Sequence, residues 1–541
     1  MQVGKERVRY DTPARSLKPA RYRWSGAMNA AQKKAEAITA VKRNAQESGL
    51  EFFHDRWRES WATVPVNGHK ENWRVNSPEL RSWVEHALYR TLGCASKEWV
   101  RTILEGFRLQ AIYEGPKLGV HVRTAQDGDT LYIDTGNEFW QAIEVTADGW
   151  KLINQPPVKF SRQPGMAAMP DPVRGGNARD LFQFLNVSPQ HEVLILAWLT
   201  HALRPNVPYP VLAFTGVQDS GKTTATKILR ALTDPAEALV SGAPNGPRDL
   251  VMSTTNGHVI ALDNLSEIPP KVSDLVCQIA IGGSHRERKY HTNDGSERIF
   301  TFRQPVIVNG IEQVIQRPDL LNRSLLIHVE PITQVQRNLR AATFDAEFGQ
   351  AQPRLLGALL DVLCTGLRNL PRVAGTGMPR MIDFGRWGVA IEEFLGFSTG
   401  SFLAGYRANI QHGESIALEA SPIAWPLHEY LSRRTEFFDG SSTELLEALV
   451  KFTTDVDGKP TVARRNPAFP KSAEALSAQI DRIQPNLAKL GITVERRRTN
   501  RKRFIRLLLR DVVTPSDGTH SNSASPSNSQ ETEGMAAGVT Q

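Results

Sequence analysis

An α/β fold is predicted for this 541-residue chain, a parallel sheet flanked by helices at its centre with further units on either side. Three observations carry the prediction. The apolar run Val211 to Thr215 enters a glycine-rich turn and then a helical pattern through Ile228 and Leu229, which is a strand, turn and helix in sequence. Two more apolar strands follow, Val259 to Leu262 ending on Asp263 and PVIVN ending on Asn309. The length exceeds what one hydrophobic core fills, so about three or four folded units are expected.

Taken in order, residues 1–50 are basic and poor in aliphatics up to AAQKKAEAITAVKRNAQ, long enough for one polar helix, and read as a largely flexible arm. From Arg56, the residues Trp57, Trp61, Leu80, Trp83, Leu88, Trp99, Ile103 and Leu104 recur at helical intervals. Short alternating runs (VHVRT, TLYIDTG, WQAIEV, WKLI) then lie between turn signals and predict strands, making 51–165 an N-terminal α+β domain. A Pro- and Gly-rich boundary precedes the central unit, 170–335, and a mainly helical region, 336–425, follows it.

Further on, SSTELLEALVKF, with Ser442 as its N-cap, and SAEALSAQIDRIQPNLAKLGI, interrupted at Pro485, predict two amphipathic helices. A basic turn between extended segments comes next. Helix, helix and basic hairpin describe a winged-helix unit over 426–513, with Arg496, Arg497, Arg498, Arg501, Lys502, Arg503 and Arg506 as the wing and its flank. Such a cluster suits DNA phosphates, and Gln479, Arg482 and Asn486 are the groove-facing expectations on the second helix. Residues 514–541 are small and polar and predict a disordered tail.

Composition removes several classes. The longest apolar run, Val193 to Leu199, is far short of the roughly 20 residues a membrane span requires. No apolar stretch follows the basic N-terminus as in a secretion signal. Cys94, Cys277 and Cys364 have no paired spacing, so a reducing, cytoplasmic setting without structural zinc is expected. A net charge of +8 permits a polyanionic partner.

The chemistry concentrates in GVQDSGKTT. In Gly216-x4-Gly221-Lys222-Thr223 the glycines let the chain wrap closely, so that backbone N–H groups and the helix N-terminus meet phosphate oxygens. Gly216, Val217, Gln218, Asp219, Ser220, Gly221, Lys222, Thr223 and Thr224 are therefore the expected ATP cradle. Lys222 would neutralise the β- and γ-phosphates, and Thr223 would ligate Mg2+ together with Asp263. Where many such ATPases place a second carboxylate to polarise water, Asn264 stands, and Glu267 is the nearest alternative. Asn309 is expected to orient that water. Arg323 is expected to reach the nucleotide of a neighbouring subunit, with Arg317 competing for the role.

The order GVQDSGKTT, VIALDN, IGGSHRERKY, PVIVNG, LLNRS resembles the superfamily 3 helicases, AAA+ ATPases of viral, phage and plasmid replication proteins, particularly poxvirus-type and phage primase-helicases. The resemblance implies an AAA+ core, a homohexameric ring and ATP sites between subunits. It also implies that the segment Ile279 to Phe302 is a hairpin, turning at Asn293, Asp294 and Gly295, that enters the channel of the ring. Lys289 and His291 would then track a DNA strand, with Tyr290 stacking and Arg286 and Arg288 at the hairpin's base. The implied function is an ATP-dependent replicative helicase of a phage, plasmid or mobile element. The first 170 residues show no paired-carboxylate strand motif that would support primase chemistry, and the sequence leaves open whether a primase or polymerase is supplied by a separate chain. An AAA+ DNA-loading or regulatory switch with weak or no hydrolysis is the alternative that Asn264 favours. A small-substrate P-loop enzyme such as a kinase would leave the basic wing unexplained.

Overall fold

The computed structural model describes residues 29–288, 297–310, 314–332, 343–433, 437–454, 459–498 and 503–510. The chain divides into two compact units at Ala420.

The first unit opens with α1 (Ala30–Glu47), started by a reciprocal cap in which the Asn29 and Gln32 side chains each accept the other's backbone N–H. Ala37, Val41 and Ala45 on α1 are buried in one core with residues of α2 (Pro78–Leu92) and α3 (Lys97–Tyr113). The flexible arm expected over residues 1–50 is therefore corrected for residues 30–47. Two of the three buried side chains are alanines, which give almost no hydrophobic signal yet allow close helix packing.

Between α1 and α2 lie β1 (Glu51–His54), β2 (Ser60–Val66) and β3 (His69–Arg74), an antiparallel sheet. Helical spacing was the wrong period for Trp57 and Trp61. Trp61 is a buried strand residue and Trp57 sits in the exposed β1–β2 turn, and two short strands with a turn mimic a spacing of four.

The stretch of alternating runs holds β4 (Val120–His121), β5 (Thr124–Asp127), β6 (Thr130–Asp134), β7 (Ala142–Val145) and β8 (Trp150–Ile153), and β9 (Lys159–Phe160) falls in the stretch expected to be a boundary. β5 to β8 make an antiparallel meander, and β4 pairs in parallel with β9. Leu131, Ile133, Ile143, Val145 and Trp150 of the meander join the central core.

That core surrounds α4 (Glu192–Ala202), buried at every residue from Val193 onward. The longest apolar run of the sequence is thus an internal helix. Next come β10 (Val211–Thr215), α5 (Lys222–Thr233), α6 (Pro247–Asn256), β11 (Ile260–Leu265), α7 (Pro270–Ile281), β12 (Gly283–Arg288), β13 (Glu297–Phe302), β14 (Val306–Gly310), α8 (Pro318–Leu321) and β15 (Ser324–His328). The central sheet runs β11-β14-β10-β15 with every pairing parallel, and Ser241 adds a single parallel bridge at Leu262. Near-continuous apolar strands are what a sheet covered on both faces demands. β12 and β13 form an antiparallel hairpin with Gly283 opposite Phe302 and Arg288 opposite Glu297.

The helical region is α9 (Phe344–Asn369), α10 (Ile382–Ile391) and α11 (Ser401–Glu419). Trp387 of this region donates its Nε1 to Thr200 Oγ1 of α4 at 2.9 Å, and Trp198 of α4 donates its own to the Pro210 carbonyl at 2.8 Å.

The second unit contains α12 (Ala424–Ser432), β16 (Phe437–Gly440), α13 (Ser442–Phe452), α14 (Val462–Arg465), α15 (Ala473–Lys489), β17 (Ile492–Arg498) and β18 (Arg503–Leu509). Its sheet is antiparallel in the order β16-β18-β17. Three expectations are corrected here. The N-cap of α13 is Ser441, completed by Glu444, rather than Ser442. α15 continues through Pro485, because Leu476, Ile480, Ile483 and Leu487 bury one face and outweigh the single helical hydrogen bond that proline removes. Asn486 lies on that buried face, so it is not a groove-facing side chain.

Candidate nucleotide site

β10 delivers the chain into the glycine-rich loop at the C-terminal edge of the parallel sheet. Gly216 has φ +143°, and a Cβ there would stand 2.5 Å from the Val329 carbonyl oxygen. Gly221, the N-cap of α5, has φ +96° and would press a Cβ to 3.1 Å from Ile332 Cδ1. Both positions exclude other residues, one by close approach and both by backbone hand. Ser220 is wholly buried, whereas Val217, Gln218, Asp219 and Thr224 face solvent.

Lys222 folds back over this loop. Its Nζ donates to the Gly216 carbonyl at 2.9 Å, the Val217 carbonyl at 2.6 Å and Ser220 Oγ at 3.5 Å. Burial lowers the pKa of this ammonium, while Asp219 and Asp263 pull it the other way. One residue on, Thr223 Oγ1 donates to Asp263 Oδ1 at 2.8 Å, joining the first turn of α5 to the end of β11.

A second polar link lies beneath. Asn309 is 1% exposed; its Nδ2 donates to Thr226 Oγ1 at 2.9 Å, and its Oδ1 accepts the Asn264 N–H at 2.8 Å. Thr226 Oγ1 in turn donates to the Lys222 carbonyl at 3.0 Å. β11 is irregular between Leu262 and Leu265, and Asn264 has φ +55°. Asn309 therefore ties β14 to α5 and fixes the bulge that carries Asp263. With both ends of its carboxamide engaged, it serves here as a strap between these elements. Thr226 was not anticipated, although its place one helical turn after Lys222 puts it on the same face. The Asn264 side chain and Glu267 are exposed.

Arg323 lies at the opposite end of the sheet. Its carbonyl accepts the Val211 N–H at 2.8 Å, where β10 begins, and its guanidinium donates to the Asp319 carbonyl at 2.6 Å. The five residues of β10 separate it from the loop by roughly 16 Å at about 3.3 Å per residue. It does not serve the loop of its own chain. Arg317 is committed to Asp274 at 2.7 Å and Asp319 at 3.6 Å.

Beside Thr215 opens a cavity of about 380 Å³ lined by Gln190, His191, His328, Asn409 and His412 among others. Burial, then His328 and His412, lower the pKa of His191, and its Nδ1 is buried without a hydrogen-bond partner. These residues come from segments far apart in sequence, and no local spacing signals them.

Of the hairpin residues, Arg286 is exposed on β12 and Arg288 is described as backbone only; Lys289, Tyr290 and His291 lie outside the described residues. In the second unit Arg496 bonds Asp481 and the Ser477 carbonyl, Arg497 lies 3.7 Å from Glu495, and Arg498 is exposed. Arg503 is described as backbone only, and Arg501 and Lys502 lie outside the described residues.

Residues 179–414 match the family profile described as "Actinomycete integrative conjugative element replication protein", and residues 423–521 match the "AICE RepA C-terminal domain". No curated protein sequence matches the chain. Among solved structures it is similar to "SCCmec type IV Cch - active helicase", at 13% identity and TM-score 0.44 over 85% of this chain and 92% of that one. It is also similar to the apo NrS-1 C-terminal region, at 12% identity and TM-score 0.39 over 86% of this chain and 98% of that one. The JCV helicase shares 16% identity and TM-score 0.23 over 44% of this chain and 64% of that one. Matched in its central part and then in its C-terminal part by the two profiles of one family, the chain belongs with the replication proteins of mobile elements.

Proposed function

We propose that the chain is an ATP-dependent DNA helicase of the AAA+ superfamily 3 type, working in the cytosol as a ring, with a homohexamer as the expected assembly. The observation that carries this reading is the 2.8 Å contact of Thr223 with Asp263, which brings a hydroxyl and a carboxylate from two separate elements to the mouth of the glycine-rich loop. Hard oxygen donors of this kind fit Mg2+, which keeps several waters and bridges to phosphate rather than needing an all-protein cage. When bound, the ion would neutralise charge on the β- and γ-phosphates.

The rest of the site works around that pair. Backbone N–H groups of the loop and the N-terminus of α5 bind phosphate oxygens. Lys222 leaves the Gly216 and Val217 carbonyls for the β- and γ-phosphates. The cavity beside Thr215 accommodates the remainder of the nucleotide. Asn309 holds the Asp263 bulge in place, and Asn264 or Glu267 orients the attacking water. Arg323, remote from its own loop, acts on the nucleotide of the next subunit. The β12–β13 hairpin tracks the strand, and the second unit anchors the ring on DNA as a winged helix, with priming or synthesis left to a separate primase or polymerase.

The test is the ATPase rate with and without single-stranded DNA, using Lys222→Ala as the blank. A DNA-stimulated rate that vanishes in the variant is expected. A specific observation favours the rival switch: Asn264 stands in place of a second carboxylate and its side chain is free of the Asn309 link. A rate equal to the blank with and without DNA would leave a binding-only AAA+ loader or regulator as the function.

A further inference from the structure

The N-terminal part of the first unit carries a surface that the nucleotide site does not use. The β1–β2 turn is built around Asp55, whose Oδ1 accepts the N–H groups of Trp57 at 2.8 Å and Glu59 at 2.9 Å, while its carbonyl accepts that of Arg58 at 3.1 Å. Arg58 is held at φ +61°, a conformation that non-glycine residues rarely adopt. Strain of this kind clusters where side chains are presented for use.

What the turn presents is an indole and two guanidinium groups. Trp57 is 51% exposed, with the Arg56 guanidinium 5.0 Å from its ring centroid; Tyr113, at the end of α3, is 74% exposed, with Arg58 at 5.3 Å. Arg56 and Arg58 therefore lie over rings rather than against carboxylates. Beside them runs a cleft of about 600 Å³, lined by Trp57 and Arg58 and by Arg74, Arg108 and the Ser77–Pro78 start of α2. Arg74 and Arg108 are balanced by Glu59 and Glu105, so the free positive charge sits at the aromatic end. A helix N-terminus adds a further preference for anions. Arg56 also donates to Thr301 Oγ1 at 2.6 Å, which fastens this turn to the β12–β13 hairpin.

We propose that Trp57, Tyr113, Arg56 and Arg58 form a binding surface for single-stranded nucleic acid, in which bases stack on the two exposed rings and the backbone runs over the guanidinium groups and the α2 N-terminus. Exposed rings flanked by cations are the chemistry of sequence-tolerant strand binding. The link to Thr301 hands the strand between this surface and the hairpin. The proposal extends the reading of the chain as a DNA-acting protein but requires neither ATP nor Lys222.

Its test is the anisotropy of a fluorescein-labelled oligo(dT) titrated with the full chain in the absence of nucleotide. Trp57→Ala and Tyr113→Ala are each expected to raise Kd about tenfold, the loss of one stacked base, with Trp57→Phe near the parent and Lys222→Ala unchanged. Both side chains are exposed, so melting temperature and assembly size should stay constant. Ultraviolet crosslinks of the oligonucleotide should map to peptides containing Trp57 or Tyr113. Parent-like binding by the double variant, or crosslinks confined to the hairpin and the second unit, would overturn the proposal. A changed assembly size with intact DNA affinity would reassign the surface to a contact between copies.

Discussion

Arg123 has none of its side chain exposed, and its guanidinium donates to Asp234 Oδ1 and to the carbonyls of Asp134, Ala167 and Pro235 at 2.9 to 3.0 Å. It joins the meander to the segment after α5. Burial alone would raise the Asp234 pKa, but Arg123, His258 and the backbone N–H groups outweigh it and hold it low. Arg123→Ala leaves that carboxylate buried and unpaired, so a loss of about 3–5 kcal/mol in denaturant unfolding is expected. Arg123→Lys should recover little, because an ammonium cannot span the same acceptors. Asn309→Ala is a different kind of change. It strands the Asn264 N–H and should cost about 1–3 kcal/mol, and by freeing the Asp263 bulge it should lower kcat while ATP binding survives. An equal loss of ATP affinity would show that Asn309 supports the loop rather than the bulge.

At the scale of elements, the helical region is packed through glycines. In α10, a Cβ on Gly388 would overlap the Phe402 ring; in α9, one on Gly366 would overlap Trp387 and one on Gly357 the backbone carbonyl of Val173. Alanine is intrinsically better than glycine in a helix by about 1 kcal/mol. Overpacking by about 1–3 kcal/mol opposes that gain. Gly388→Ala and Gly366→Ala should therefore lower Tm, and Gly357→Ala should lower it most, since a backbone carbonyl cannot rotate away. The meander was legible because short apolar runs lie between turn residues, even where neighbouring residues of one strand are both buried. α1 was legible as a helix but not as a packed one, because alanines at two of its three buried positions look polar until α2 and α3 cover them.

Two properties belong to the whole molecule. His201 and His258 are buried; burial is the main cause that pulls both pKa values down, with Arg204 adding for His201 and Asp234 opposing for His258. Each takes up a proton in the folded chain only at lower pH than in the unfolded chain, where histidine titrates near about pH 6.5. A lowered folded pKa contributes stability that is present above that value and lost as pH falls. Tm should hold level above about pH 7 and decline below about pH 6.5, and His258→Gln should remove part of the slope; an unchanged slope would mean other groups set it. The second property is assembly. If Arg323 serves a neighbouring loop, Arg323→Ala and Lys222→Ala should each be inactive alone yet regain partial ATPase activity when mixed, since a mixed interface can unite an intact loop with an intact arginine. No recovery on mixing would restrict each site to one chain.

The glycine-rich loop, the apolar strands with Asp263 and Asn309 at their ends, and the helix after the loop were determined by sequence alone. Each depends on contiguous residues whose spacing expresses a local conformational requirement. The tertiary structure decided the rest: that Asn309 straps a bulge through Thr226, that Arg323 stands a strand's length from its own loop, and that Asn486 and Pro485 lie within one packed helix. It also decided that Trp57 and Tyr113, distant in sequence, flank one cationic cleft beside the hairpin. Those relations depend on which faces of separate elements meet, and burial fixes that only when the whole chain has closed on its core.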